Sequence, residues 1–382
     1  MNEKNTPDNV IEFHSKAATT GKSAISPKDL DYLRNVFANS HINFLLGAGF
    51  CGGVLPTLGN REQWLAHASM IGDNEAEAAL QYEFFRNVLL PMARTSPTAD
   101  MSKFARQLKR LLGERGTTSI PRRACLFTTN YDPLIEEALE EAAVSYNDGF
   151  EGRSHPVFAT RSFGRIHYAQ SLALEYSAQI PTVNVVKLHG SVTWRRASNS
   201  QDIGFRDCKD ALWELSVSHP DLLSSTDLVS ISDLISQSAT DEDFEKLLEI
   251  LNKQQVEWPA SAAEFLNAYR GSFHIINPTK NKFAETVMGL TYYELLRLFA
   301  NELDRNNALL VSFGFSFADE HILEIVRRAL ENPRLILIVC CHMAKDKEWY
   351  EEKFGDYDNV RYIVPDDKFE LSELCALMNE VR

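Results

Sequence analysis

The stretch that decides the fold is LLGAGFCGG, residues 45–53. Leu45 and Leu46 close an apolar run that starts at Ile42 and has the length and composition of a buried strand. Gly47, Gly49 and Gly52 follow at G-x-G-x-x-G spacing. A turn of this kind after a strand lets backbone lie against a pyrophosphate. It serves hydride transfer, another use of a dinucleotide, or only a tight turn, and the rest of the chain has to decide which.

Working outward, strands and helices alternate. Residues 1–25 are polar and mixed and read as a mobile arm. Ser26-Pro27-Lys28-Asp29 opens a helix through about Ala38, with Ser at the cap and Pro at the first position. From Arg61 to about Leu112 the pattern is helical, interrupted at Pro91. ACLFTTNYD, from Ala124, is a strand run, and Asp132-Pro133 then caps a helix with Leu134, Ile135, Ala138, Leu139 and Ala142 on one apolar face. Glu136, Glu137, Glu140 and Glu141 read as its solvated side. VNVVKLHGSVTW from Val183, FHIINP from Phe273, ALLVSFGFS from Ala308 and LILIVCC from Leu335 are further strand-like runs. Residues 221–264, with ten acidic and two basic residues, read as an acidic helical lobe. The expected fold is α/β: a Rossmann-like open parallel sheet with helices on both faces, one domain over 26–382 with helical insertions at about 60–120 and 200–270.

Composition narrows the function classes. The chain has 382 residues, 44% hydrophobic and 24% charged, enough to bury a substantial core. Acidic residues outnumber basic ones 53 to 39, and the net charge of −14 repels phosphate backbones, so no direct nucleic-acid binding is expected. No apolar run reaches membrane-spanning length and the N-terminus lacks the apolar stretch of a signal peptide, so a cytoplasmic protein with no membrane contact is expected. The six cysteines contain no C-x-x-C pair and read as reduced thiols.

Ligands of open parallel sheets bind beyond the carboxyl ends of the strands. Polar loops stand at four such ends: Gly47 and Gly49; Asn130 and Asp132; His189; Gly314 and Ser316. A dinucleotide dehydrogenase requires a second strand about 20 residues after the glycines, ending in an acid for the ribose. That interval, NREQWLAHASMIGD from Asn60, is helical and carries no such strand. A serine hydrolase elbow wants G-x-S-x-G, but Ala318 stands at the last position after Gly314-Phe315-Ser316-Phe317. Ser316 instead donates to a ligand oxygen or caps the following helix. A metal site is not expected, since His321 has no second histidine at helical spacing and Cys340-Cys341-His342 lies in or just after a core strand.

GAGF at Gly47, TTNYD at Thr128, KLHGS at Lys187 and GFSFADEHI at Gly314, taken together and in this order, resemble the successive motifs of the sirtuin-like family, in particular its bacterial branch in defence against phage. The resemblance runs across residues 45–324; the stretches 60–120 and 195–270 match no motif of it. It implies a Rossmann-type fold that takes NAD as substrate and breaks the bond between nicotinamide and ribose. By motif, Gly47, Ala48, Gly49 and Phe50 would form the cofactor-binding turn, with amides against the pyrophosphate. Asn130 and His189 would be catalytic, and Asp132 would face the nicotinamide ribose and carboxamide with Asn130. Gly314 and Ser316 would border the adenosine half. Asp319, counted with the cofactor-binding residues, and His321 match the signature of the bacterial branch.

Departures from the family pattern argue against a protein deacylase: Cys51 stands where sirtuins often have serine, Thr129 where deacylating members have glutamine, and the zinc-binding cysteines are absent. The leading expectation is an NAD glycohydrolase releasing nicotinamide and ADP-ribose, draining the cell of NAD upon infection. An NAD-dependent deacylase and a non-enzymatic NAD or ADP-ribose sensor are the alternatives. Nicotinamide leaves as a neutral group, so the chemistry needs support for a ribosyl cation and a placed water. Asn130 is suited to orienting the water or the ribose, and His189 to acting as base toward a ribose hydroxyl or the water. Taken alone, His189 also reads as a histidine hydrogen-bonded in the core. Family members of this length imply a HerA-type hexameric ATPase partner, with the acidic lobe and the N-terminal arm as candidate contacts. A homo-oligomer is expected from the apolar spacing of Tyr292 to Leu303, which a core role explains equally well.

Overall fold

The apolar runs become strands of one sheet in the computed structural model, which describes residues 9–15, 23–56, 59–115, 120–170, 177–196, 202–220, 222–236, 240–253, 258–275 and 286–381. Among these, eight strands form the central sheet: β1 (Val10–Phe13), β2 (His41–Leu46), β3 (Arg123–Thr128), β4 (Ser145–Asn147), β5 (Thr182–Lys187), β6 (Ala308–Phe313), β7 (Ile336–Cys340) and β8 (Val360–Pro365). All pair in parallel, in the spatial order β1-β8-β7-β6-β2-β3-β5-β4. From β2 the chain moves one way, to β3, β4 and β5, then crosses back to β6 on the other side of β2. The direction reverses between β2 and β6, and ligands of open sheets bind outside such a reversal.

Side chains alternate between the two faces, and each face is covered by helices. On one, α1 (Pro27–Asn39), α2 (Ala99–Gly113), α3 (Leu134–Glu141) and a C-terminal helix at Leu371–Glu380 bury Phe37, Phe104, Leu139 and Leu374 with Phe44, Leu126 and Val311. On the other, α4 (Thr286–Leu303), α5 (Glu320–Leu330) and α6 (Asp346–Phe354) bury Phe299, Val326 and Phe354 with Leu45, Phe127 and Leu337. Each such side chain stabilises the fold by roughly 1.5–3 kcal/mol before the entropy of ordering it. The apolar side of α4 that suggested an oligomer is used here, on this sheet: Tyr292, Leu295, Phe299 and Leu303 are all buried within the chain. Ser26 caps α1, its Oγ accepting from the Asp29 amide with Pro27 at the first turn, as the sequence pattern requires.

The two helical insertions form one lobe. Trp64 of helix Arg61–Ile71 stacks on Phe244 of helix Asp241–Leu251, centroids 6.1 Å apart, and Tyr82 meets Phe265 edge-on at 5.1 Å. The carboxylate of Glu83, fully buried, receives Arg61 (2.8 and 2.6 Å), Asn87 (2.9 Å) and Ser232 (2.8 Å), tying both insertions together. A buried carboxylate is tolerated only with such partners. The helical path does not stop at Pro91: Phe85–Leu89 adopts a π-helical turn that accommodates the missing amide. Helix α2, expected inside the first insertion, belongs to the sheet cover, with Phe104 edge-on to Phe44 at 5.3 Å.

Three further features depart from the sequence reading. Within the stretch expected to be a mobile arm, Val10–Phe13 pairs in parallel with Tyr362–Pro365. The alternation in VIEF explains it, since Ile11 and Phe13 are 2% and 0% exposed; residues 1–8 and 16–22 of that stretch lie outside the described residues. In FHIINP only His274–Ile275 pairs, antiparallel to Gly190–Ser191, and residues 276–278 lie outside the described residues. A small antiparallel sheet joins Phe150–Glu151, Val157–Phe158, Trp194–Arg196 and Ile203–Phe205. Among the described residues no helix is long and apolar enough to cross a membrane.

The edge strand gives a direct test. Phe13 packs edge-on to Phe369 at 4.8 Å, so Phe13→Ala is expected to lower the unfolding free energy by about 3–5 kcal/mol. The readout is the urea midpoint at unchanged slope; a mobile arm predicts no change.

Candidate active site

The carboxyl ends of β6, β2, β3 and β5 are neighbours, and the motif residues follow them. The first contact is backbone on backbone. The amide of Gly47 donates to the Phe313 carbonyl and that of Gly49 to the Gly314 carbonyl, both at 3.1 Å. A Cβ on Gly47 would lie 2.2 Å from the Gly314 oxygen and one on Gly49 2.6 Å from the Gly314 Cα, while Gly314 itself has φ +61°. These glycines thus allow two strand ends to touch. Of the amides that the family resemblance directs at a pyrophosphate, those of Gly47 and Gly49 are engaged by the neighbouring strand. Ala48 and Gly49 remain exposed at the rim, whereas the ring of Phe50 is 2% exposed and packs on Phe104 at 5.4 Å.

Next to this turn stands the loop after β3. The side-chain amide of Asn130 donates to the Gly47 carbonyl at 3.0 Å and lies 3.4 Å from Cys51 Sγ, and its backbone amide donates to Thr128 Oγ1 at 3.0 Å. Asp132 is 4% exposed and turned inward: Oδ1 accepts from the amide of Leu134, the first residue of α3, at 3.1 Å, and Oδ2 accepts from the Cys51 thiol at 3.4 Å. Burial, with the Asp132 carboxylate second, pushes the Cys51 thiol well above its usual range. It stays protonated and acts as a hydrogen-bond donor, not as a nucleophile.

The loop is fastened from below by a residue that the sequence reading passed over. Lys187, at the end of β5 and 3% exposed, donates to the Asp132 carbonyl and pairs with Glu136 at 3.1 Å. Glu136 is thereby removed from the solvated face assigned to it, because the buried ammonium needs a counter-charge. Burial raises the Glu136 carboxyl to about 7, with the Lys187 ammonium pulling the other way. The available signal was a single lysine in the apolar run VNVVKL, facing a helix with glutamates.

His189 follows directly. The Leu188 amide donates to the Thr128 carbonyl at 2.8 Å, so Asn130 and His189 leave adjacent strand ends from a shared hydrogen bond. Gly190, with φ +79°, makes the turn, and a Cβ there would meet the His274 oxygen at 2.4 Å. His189 is 8% exposed, its ring centroid 6.0 Å from that of Tyr292, and its Nε2 lies 3.1 Å from Asp319 Oδ2. Asp319, expected at the cofactor, caps α5 through Oδ1, which accepts from the His321 and Ile322 amides at 3.0 and 3.2 Å. Ser316 does not cap that helix; it is exposed, and its Oγ accepts from the Ala318 amide at 3.4 Å. Phe317 holds φ +55° between them, clamped by Phe315 and Phe354 with centroids 5.0 and 4.9 Å away. The structure brings Gly47, Asn130, Asp132, His189, Gly314 and Asp319 to one end of the sheet. The contacts of the Phe50 ring and of the Asp132 carboxylate are internal.

A family model described as the SIR2-like domain matches residues 124–355, more than half of the chain, and the protein belongs to that family. Among solved structures, it is similar to Sir2Tm bound to a propionylated peptide, at 14% identity and a TM-score of 0.41, over 91% of this chain and 95% of that one. A complex of Sir2 with p53 peptide and NAD+ is similar at 14% identity and a TM-score of 0.41, over 90% and 94% of the two chains. No curated protein matches the chain.

Two outcomes test the site's construction. Gly47→Ala forces a methyl into the Gly314 backbone and should cost about 1–3 kcal/mol in urea unfolding; a wild-type midpoint contradicts the contact. For Glu136 the folded carboxyl titrates at about 7 against an ordinary 4.5, so its contribution to stability is complete below about pH 4.5 and is lost as pH rises through about 7. The wild-type urea midpoint, measured relative to Glu136→Gln, should therefore fall across that window and level off above it. A difference that stays flat from about pH 4 to 8 refutes the raised carboxyl and means that the Lys187 ammonium offsets its burial.

Proposed function

We propose that this protein is an NAD+ glycohydrolase that splits NAD+ and water into nicotinamide, ADP-ribose and a proton. The observation that carries the reading is the side-by-side emergence of Asn130 and His189 from β3 and β5, next to the reversal of strand order. With Nδ2 of Asn130 bound to Gly47, Oδ1 is the atom that accepts from a water or a ribose hydroxyl. Water attacks C1′ of the nicotinamide ribose while the bond from C1′ to the pyridinium nitrogen breaks. The bonding pair goes to that nitrogen and nicotinamide leaves neutral. The proton of the water passes to His189 and then to solvent. The carboxylates of Asp132 and Asp319, poorly solvated at 4% and 13% exposure, favour positive charge developing on the ribose.

Hydrolysis is supported over deacylation by the sequence, whose six cysteines contain no C-x-x-C pair for a deacylase zinc site. The wider role follows from the family resemblance: depletion of NAD+ in antiphage defence, with a HerA-type ATPase as partner and a homo-oligomer as the working assembly. Leu290 and Tyr293, 65% and 58% exposed on α4, are apolar residues that association would cover.

Nicotinamide release from NAD+ by the purified chain, alone and with the ATPase, is the test. Asn130→Ala and His189→Ala should each slow it by at least about 100-fold while the circular dichroism spectrum stays that of the folded wild type. Release that depends on an acylated peptide would establish a deacylase instead. Binding of NAD+ with no turnover in any assembly state would make the protein a sensor.

A further inference from the structure

Asp319 uses its two oxygens for different purposes. Oδ1 accepts the first free amides of α5, from His321 and Ile322, which fixes the carboxylate plane. Oδ2 then lies 3.1 Å from Nε2 of His189, a charge contact without the alignment of a hydrogen bond, the two side chains 13% and 10% exposed. The contact joins the end of β5 to the loop after β6, the two outer members of the four neighbouring strand ends. Neither partner is free to swing away: Gly190 turns the chain directly after His189 against the His274 carbonyl, and Phe317 is clamped in its left-handed turn two residues before Asp319. An ionised carboxylate only accepts, so its closeness favours the proton on the nitrogen next to it. In a neutral imidazole the lone pair is then on the other nitrogen.

We infer that Asp319 is a positioning residue which holds His189 as the Nε2–H tautomer and turns Nδ1 toward the substrate. Its kinetic consequence rests on the proposed cleavage of NAD+; the tautomer does not. When Nδ1 takes the proton of the attacking water, the carboxylate already faces the imidazolium that results, the arrangement by which a buried aspartate serves a catalytic histidine in hydrolases. A residue acting only as a helix cap would be replaceable by any good cap, because serine and asparagine satisfy the same amides. The capping role and the orienting role therefore separate in one substitution.

The experiment uses the full chain with ¹⁵N-labelled histidine, the His189 signals being identified by their loss in His189→Gln. Wild type should show protonated Nε2 and unprotonated Nδ1 for the neutral ring, and Asp319→Ser should shift both signals toward an averaged pair of tautomers. In nicotinamide release, Asp319→Ser should lower kcat at least about tenfold while KM for NAD+ stays within about twofold, and Asp319→Glu should recover part of the loss. Should the serine variant not fold, Asp319→Asn, which keeps the cap, is read by the same ¹⁵N signals and the same kinetic split. A wild-type ring protonated at Nδ1, or capped variants with unchanged tautomer and kcat, overturns the inference. If wild type cleaves no NAD+ but shows the Nε2–H tautomer that Asp319→Ser abolishes, the proposed function fails and the positioning stands.

Discussion

Two strand ends approach to backbone contact because neither has a side chain to interpose. With Gly47 and Gly49 against Gly314, the loops after β2 and β6 are hydrogen-bonded as if the sheet continued past its last residues. Everything else in the site is referenced to that contact. The Gly47 carbonyl is left to accept from Asn130, Cys51 at the end of the same turn reaches Asp132, and Asp132 sets the start of α3. The glycine fingerprint therefore works first as a joint between strands. Any approach of a nucleotide is to the rim that this joint creates.

A second layer of constraint is electrostatic. Lys187 is buried at the end of a strand in which every residue is buried, a placement that is costly unless the ammonium has close partners. Glu136 and the Asp132 carbonyl supply them, so the charge locks the loop bearing Asn130 onto the neighbouring strand. The opposite wall is held by packing: the left-handed Phe317 is a strained conformation for a bulky residue, and the rings around it keep the Asp319 turn in place. One side of this group of strand ends is thus fixed by charge and the other by aromatic contact.

The four motif loops were legible because their residues are unusual for strand ends, and the alternation of apolar runs was enough to expect a parallel sheet. Legibility failed where a short segment depends on distant partners. The four-residue β1 has no signal beyond VIEF until Tyr362–Pro365 is set beside it, and the three-residue β4 is recognisable only through its pairing with β5. Local helical periodicity likewise could not say that α2 covers the sheet while the helices before it join a lobe with residues from the other half of the chain. Glu136 was misplaced for the same reason: three neighbouring glutamates indicate solvent, and only the approach of Lys187 from another strand reverses that.

The pairing of β2 with β6 has a consequence for biosynthesis. The chain leaves the ribosome from its N-terminus, and β6 and the turn carrying Gly314 and Asp319 emerge well after β2, β3 and β5. Contacts between segments so remote require a large loop to close and form late. A polypeptide translated only through residue 190 already carries Asn130 and His189 but lacks the Gly314–Asp319 turn that meets them, so this cluster of strand ends closes only after β6 has been made.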